Sequence, residues 1–162
     1  MVSTRACESG DHGAIFKLVA AAFGRADEAR IIDRLRLDGA VLVELVALEA
    51  GEIVGCLMFS RMVVRPERFI AGLGPLAVSP PLQRAGIGSA LCRAGVEAIR
   101  ALGAQAIVVL GHPTYYSRFG FSTDAAARLR SPYSGRPAFM ALALRPGVLD
   151  TPLQLDYPPA FG

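Results

Sequence analysis

The chain contains no tryptophan and a single lysine, Lys17, so sixteen of its seventeen basic residues are arginines. They are scattered among acids instead of gathering into basic clusters with interleaved aromatics, and the formal charge is only +3, which argues against a nucleic-acid partner. Arginine's planar fork of donors still favours phosphate-bearing ligands. Cysteine is scarce: Cys7, Cys56 and Cys92 form no close pairs and are odd in number, which argues against a disulfide scaffold and a thiolate metal site and fits a reducing compartment. His12 and His112 are too far apart to make a metal motif, so no metal is expected. No stretch approaches the roughly twenty apolar residues of a membrane span, and Met1–Gly10, with Arg5 and Glu8, lacks a signal-peptide core. The expectation is a cytoplasmic protein that engages neither membrane nor nucleic acid.

What is present is apolar material: 52% of 162 residues are hydrophobic and 19% charged, enough for one self-sufficient domain over residues 1–162. Asp11 reads as a helix cap ahead of Ile15, Leu18, Val19, Ala22 and Phe23, predicting a helix over 11–23. A second helix is predicted from Asp27 to Leu37, ended by Gly39. Two apolar runs, 41–48 and 52–63, flank the Ala50-Gly51 turn as a hairpin, and Phe69–Val78 gives a further strand. Ser79-Pro80-Pro81 ends that strand, because two prolines forbid both helix and ladder pairing.

Ile87–Leu102 is the best-patterned helix, with Leu91, Ala94, Gly95, Ala98 and Leu102 on one face and Gly103 at its end. Ala106–Leu110 reads as a buried strand parallel to the preceding one, giving a right-handed strand, helix, strand crossover. A short helix is predicted at 115–119 and a late strand at 138–144, whereas 122–136 is undefined and the proline-bearing tail reads as irregular.

The segment from Val78 to Leu91 carries the chemistry. It joins a strand to the start of a long helix, where unpaired amides and the positive end of the helix dipole make an anion site. Gly86 and Gly88 let a diphosphate approach the main chain, with Ser89 offering a hydroxyl and Arg84 a charge. A Walker loop fails because no lysine follows the last glycine. A dinucleotide fingerprint fits poorly: seven residues separate Val78 from Gly86, Leu91 stands where a third glycine belongs, and the next strand ends without an acid.

The pattern Gln83-x-x-Gly86-x-Gly88 resembles motif A of the Gcn5-related N-acetyltransferase (GNAT) superfamily. The resemblance runs from about Val41 to Leu144 and includes Gly74-Pro75-Leu76-Ala77-Val78 and Tyr115-Tyr116-Ser117-Arg118-Phe119-Gly120-Phe121. Together these segments look like one bacterial branch of N-acetyltransferases. The resemblance implies an α/β fold, a mixed, twisted sheet of six or seven strands with helices on both faces and a splayed central strand pair.

It further implies acetyl-CoA as co-substrate, with Leu76, Ala77 and Val78 beside its pantetheine arm. Gln83, Arg84, Ala85, Gly86, Ile87, Gly88 and Ser89 would then stand at its pyrophosphate. Tyr116, four residues before Gly120, matches the tyrosine that relatives use as general acid, and Tyr115 takes a packing position. The acyl acceptor would be a small-molecule or peptide amine, and a homodimer is a family habit. No acid falls within Phe69–Val78, where many relatives carry the general base. Glu44, Glu67 and ordered water are the substitutes, and His112, following the Ala106–Leu110 strand, is placed to assist proton transfer. That departure keeps open a competing reading, an acyl-CoA-binding sensor or interaction module of the same fold with little turnover.

Overall fold

The computed structural model describes residues 2–162. The elements, in order, are β1 (Val2–Ala6), α1 (His12–Phe23), α2 (Asp27–Leu37), β2 (Val41–Glu49), β3 (Glu52–Arg61) and β4 (Val63–Arg65). They continue with β5 (Ile70–Val78), α3 (Ile87–Ala101), β6 (Ala106–Leu110), α4 (Pro113–Tyr116), β7 (Leu129–Arg130), β8 (Phe139–Ala143) and β9 (Leu153–Asp156). Ala50 and Gly51, at φ 51° and 79°, supply the left-handed turn that closes the β2–β3 hairpin with the right twist.

Six strands form one sheet in the order β1-β2-β3-β5-β6-β8, and only the β5–β6 pair is parallel. Alternation along β3 sends Leu57 and Phe59 to one face and Cys56 and Met58 to the other. The first pair packs under α3, whose Ile87, Leu91, Cys92, Val96 and Ile99 recur at helical spacing. Gly95 lies against the Phe59 ring, so closely that an added Cβ would overlap it. The second pair packs under α1 and α2 through Ile15, Val19, Ile32 and Leu35. Each such buried side chain contributes about 1.5–3 kcal/mol of transfer free energy. Acids in the first turn of α2 and arginines in its last complement the helix dipole. Helices thus cover both faces of a mixed sheet, as expected.

Several boundaries differ from the sequence reading. Asp11 does not cap α1; its carboxylate accepts the Glu8 amide at 2.8 Å and pairs with Arg5 at 2.7 Å, pinning a tight turn over residues 9–11. Leu102, assigned to the apolar face of α3, is 51% exposed because the helix ends at Ala101. The run 52–63 is not one strand: the chain breaks at Met62 and β4 leaves for a second, three-stranded sheet ordered β4-β9-β7. That small sheet draws in the tail and the undefined 122–136 stretch, over a core of Met62, Leu129, Phe139, Leu153 and Leu155. The first residues, to which the sequence reading assigns no element, form β1, which runs antiparallel to β2 from Val2↔Glu49 to Ala6↔Leu45.

Candidate functional site: a forked strand pair above a helix N-terminus

β5 pairs with β6 only from Ile70↔Ala106 to Leu73↔Val109. On its other edge the register with β3 jumps from Phe59↔Leu73 to Leu57↔Leu76, so Gly74 and Pro75 together stand opposite Met58 as a bulge. Gly74 takes φ 136°, a conformation side-chain-bearing residues rarely adopt. Beyond the bulge β5 turns away from β6 and the sheet forks.

The walls of the fork present unused main-chain groups. The Ser79 amide donates to the Val54 carbonyl at 2.8 Å, so by antiparallel alternation Ala77 faces β3 while Leu76 and Val78 face the opening. On the far wall the Gly111 amide donates to the Ala138 carbonyl at 3.0 Å, which turns Leu110 toward the opening in the same way. The Val78 carbonyl is met by the Gln83 side-chain amide at 3.1 Å. Such groups need a partner if the fork is filled by anything that excludes water.

At the base of the fork the chain makes one tight turn at Pro80–Leu82 and then enters α3. Arg84 (φ 68°) and Gly86 (φ 87°) are both left-handed, with Ala85 between them, which folds successive amides around one concavity suited to an anion. The first helix amide with a main-chain acceptor is that of Ala90, donating to Gly86 at 3.1 Å; those of Ile87, Gly88 and Ser89 stand free at the dipole's positive end.

A cavity of about 720 Å³ joins fork and loop. Leu76, Val78, Gln83, Arg84, Gly86, Gly88 and Ser89, all singled out from the sequence, line it. Ala77, Ala85 and Ile87 do not: Ala77 packs toward α1, Ile87 is 3% exposed in the core beneath α3, and the Ala85 side chain faces solvent, so these three offer only main-chain groups.

The paired tyrosines divide. Tyr115, expected only to pack, lines the cavity, with its hydroxyl 3.4 Å from Ser89 Oγ and the Arg118 guanidinium 5.3 Å from its ring centre. Tyr116 is 9% exposed, packed against Gly111 and edge-on to Phe121 at 6.0 Å, and is not among the lining residues. Burial raises both phenols above their ordinary value, Tyr116 strongly, so both are protonated donors at neutral pH. Arg118, Thr114 and His112 complete the wall. Of these the sequence reading singled out His112; Arg118 follows Tyr115 by three residues, a helical spacing that was the available signal.

The candidate bases fare differently. Glu44 lies in neither the cavity nor the fork; its carboxylate is held by Arg36, with Nε at 3.1 Å. Glu67 lies in the exposed turn after β4. Cys7, His12 and Glu44 bring ligand atoms within 4.8 Å of one another, a grouping the sequence spacing did not reveal. Burial, and then the neighbouring Glu44, push the Cys7 thiol up to about 12, and Arg36 already occupies Glu44, so the chemistry there suits a protonated thiol beside an ion pair more than a cation.

A family model described as "Acetyltransferase (GNAT) family" matches residues 12–121. The chain belongs to this family. Among Escherichia coli K12 relatives, the uncharacterized N-acetyltransferase YjhQ is 36% identical over 123 residues, 73% of this chain and 68% of its own length. YhbS of the same strain is 34% identical over 127 residues, 77% and 76% of the two chains. The E. coli YhbS structure in complex with CoA superposes with a TM-score of 0.91 at 31% identity, covering 99% of this chain and 91% of that one. A Brucella melitensis GNAT-family acetyltransferase in complex with acetyl-CoA gives 0.85 at 32% identity, covering 100% and 99%. The forked sheet is therefore the GNAT fold, and this GNAT chain shares it nearly end to end with proteins solved holding the coenzyme.

Proposed function

We propose that the protein is an acetyl-CoA-dependent N-acetyltransferase that passes the acetyl group directly to an amine. The observation that carries this reading is the cavity in which free amides of the Arg84–Ser89 turn continue into the unpaired main-chain edge of Leu76 and Val78, with Leu110 on the opposite wall of the fork. Those two features match a diphosphate and an extended amide-bearing arm in one ligand. Relatives solved with CoA and acetyl-CoA lend the same support.

When bound, acetyl-CoA supplies an activated acyl group as a thioester. The residues of this chain hold and polarise it: the turn amides and Arg84 meet the pyrophosphate, the Leu76 edge pairs with the arm, and the Leu76 amide faces the carbonyl as an oxyanion donor. Arg118 and Tyr115, beside Ser89, belong to the phosphate end. Tyr116, beside Gly111 where β6 leaves its partner, is the proposed proton donor to the departing sulfur. Its raised pKa keeps the phenol protonated at neutral pH, so it would stabilise the departing thiolate first through an O–H hydrogen bond, with protonation completed by solvent as the free thiol leaves. Cys92 is no nucleophile in this scheme, since burial pushes its thiol up to about 11.

A cytoplasmic location and a homodimer complete the reading, the latter on family habit alone. The test is acetyl-CoA-dependent release of free thiol in the presence of amines, together with calorimetric titration of the coenzyme. Acceptor-dependent thiol release is expected. Coenzyme binding without it would instead identify a sensor, and no coenzyme binding would remove the reading altogether.

A further inference from the structure

A second cavity, about 260 Å³, opens where β5 and β6 part, lined by Gly74, Pro75 and Leu110 at that end. It approaches the fork from the sheet face opposite α3, because Ser60 and Gly72 alternate with the core-facing Phe59, Ala71 and Leu73. One wall is aromatic: Tyr133 meets Tyr157 edge-on at 5.1 Å, and Tyr157 meets Phe161 at 5.6 Å. Met62 and Ile31 supply apolar surface elsewhere in the lining. Among the described residues just two buried side-chain polar atoms lack a hydrogen-bond partner, Ser60 Oγ and Tyr157 OH, and both residues line this cavity. Neither oxygen is itself exposed to the chamber, but buried hydroxyls without partners are costly, so two in the walls of one apolar chamber point to a ligand that a small side-chain rotation lets them meet.

The charges narrow the ligand. No arginine, lysine or histidine is among the lining residues, so nothing there would neutralise a carboxylate or phosphate on the acceptor. The sole acid is Glu28, and its carboxylate already takes Arg25 Nε at 3.0 Å and Nη2 at 2.7 Å. A polycation would therefore find no adequate counter-charge. The volume is below the roughly 300–1,000 Å³ of ordinary small-molecule sites, and the tail residues Tyr157 and Phe161 line part of it.

We infer that this chamber is the acceptor site and that it takes a small primary amine on an aromatic or branched apolar body carrying one hydroxyl-type group for Ser60 and Tyr157. The inference rests on the acetyltransfer reading above. The amine enters with its nitrogen toward Gly74 and Leu110, and its lone pair forms the C–N bond as the thioester C–S bond breaks. The nitrogen loses one proton while the coenzyme thiolate gains one, giving an N-substituted acetamide and free CoA.

The experiment compares tyramine with spermidine, lysine and a short peptide in the thiol-release assay, using wild type, Ser60→Ala and Tyr157→Phe. Tyramine is expected to give the highest kcat/KM. Each variant should raise the tyramine KM about tenfold, the loss of one hydrogen bond to a buried partner. The acetyl-CoA KM should stay unchanged and thermal stability should stay equal or rise, because each substitution removes an unsatisfied hydroxyl. Preference for spermidine, lysine or the peptide, or an unmoved tyramine KM in both variants, overturns the inference. Calorimetric titration of tyramine into CoA-saturated protein separates the two levels. CoA heat without tyramine heat overturns the acceptor assignment and leaves the coenzyme site standing, whereas absence of CoA heat overturns the coenzyme reading and this inference with it.

Discussion

Gly88→Ala separates coenzyme binding from folding. A Cβ at position 88 would lie 2.8 Å from the Tyr115 hydroxyl, 3.7 Å from Val78 Cγ2 and 3.8 Å from Leu76 Cδ2. The first distance forces the tyrosine to swing, and the other two are ordinary contacts, so the methyl fits the empty slot. Gly88 is not at positive φ, hence alanine adds no backbone strain, and its better helix propensity is worth up to about 1 kcal/mol. The free protein should therefore melt within a few degrees of wild type. A filled slot is another matter: overpacking by one methyl costs about 1–3 kcal/mol, or roughly 5- to 150-fold in the acetyl-CoA Kd. Thermal melting and calorimetric titration read the two quantities on the same preparations. An unchanged Kd with unchanged Tm would refute the placement of the coenzyme against Gly88.

Gly95→Ala should show the opposite pattern, destabilising by about 1–3 kcal/mol in chemical denaturation through overlap with Phe59, with acetyl-CoA affinity retained in the folded fraction. Tyr116→Phe should lower kcat by about 10²–10⁴ with little change in acetyl-CoA Kd, the expected cost of losing a general acid, whereas Tyr115→Phe should act mainly on binding. Turnover unchanged in Tyr116→Phe, with chemistry rate-limiting, would remove it from the mechanism. The Arg5 hydrogen bond, and then the Glu8 amide, hold Asp11 down at about 2 from an ordinary 3.8. A depressed carboxyl stabilises fully above its unfolded value, and that stabilisation is lost as pH falls through its folded one. Asp11→Asn should thus lower stability at neutral pH and flatten the loss between pH 3.8 and about 2 in acid melts.

The parts of the fold legible in the sequence are those whose signals are local. Proline pairs, the Gln83-x-x-Gly86-x-Gly88 spacing and the apolar period of α3 fix strand end, turn and helix within a short stretch, and the Ala50-Gly51 turn fixes its hairpin. β1, β4, β7 and β9 left no comparable trace. Val2–Ala6 is an edge strand without a buried residue, and β4, β7 and β9 are two to four residues long and pair across wide gaps in sequence, such as Val63↔Asp156. Their stability comes from partners that no window contains. The tail read as irregular for this reason, and with it Tyr157 and Phe161 stayed out of the site.

The tyrosine pair shows a second limit. Neighbouring residues on a helical turn point about 100° apart, so which of Tyr115 and Tyr116 meets the cavity depends on how α4 docks beside α3, a tertiary fact.

The most direct measurement is a crystal structure with acetyl-CoA bound. Pyrophosphate oxygens are expected within hydrogen-bonding distance of the amides between Arg84 and Ser89, with the pantetheine arm between the Leu76–Val78 edge and Leu110. A coenzyme bound elsewhere, or β5 and β6 hydrogen-bonded to each other past Leu73 and Val109, would contradict it.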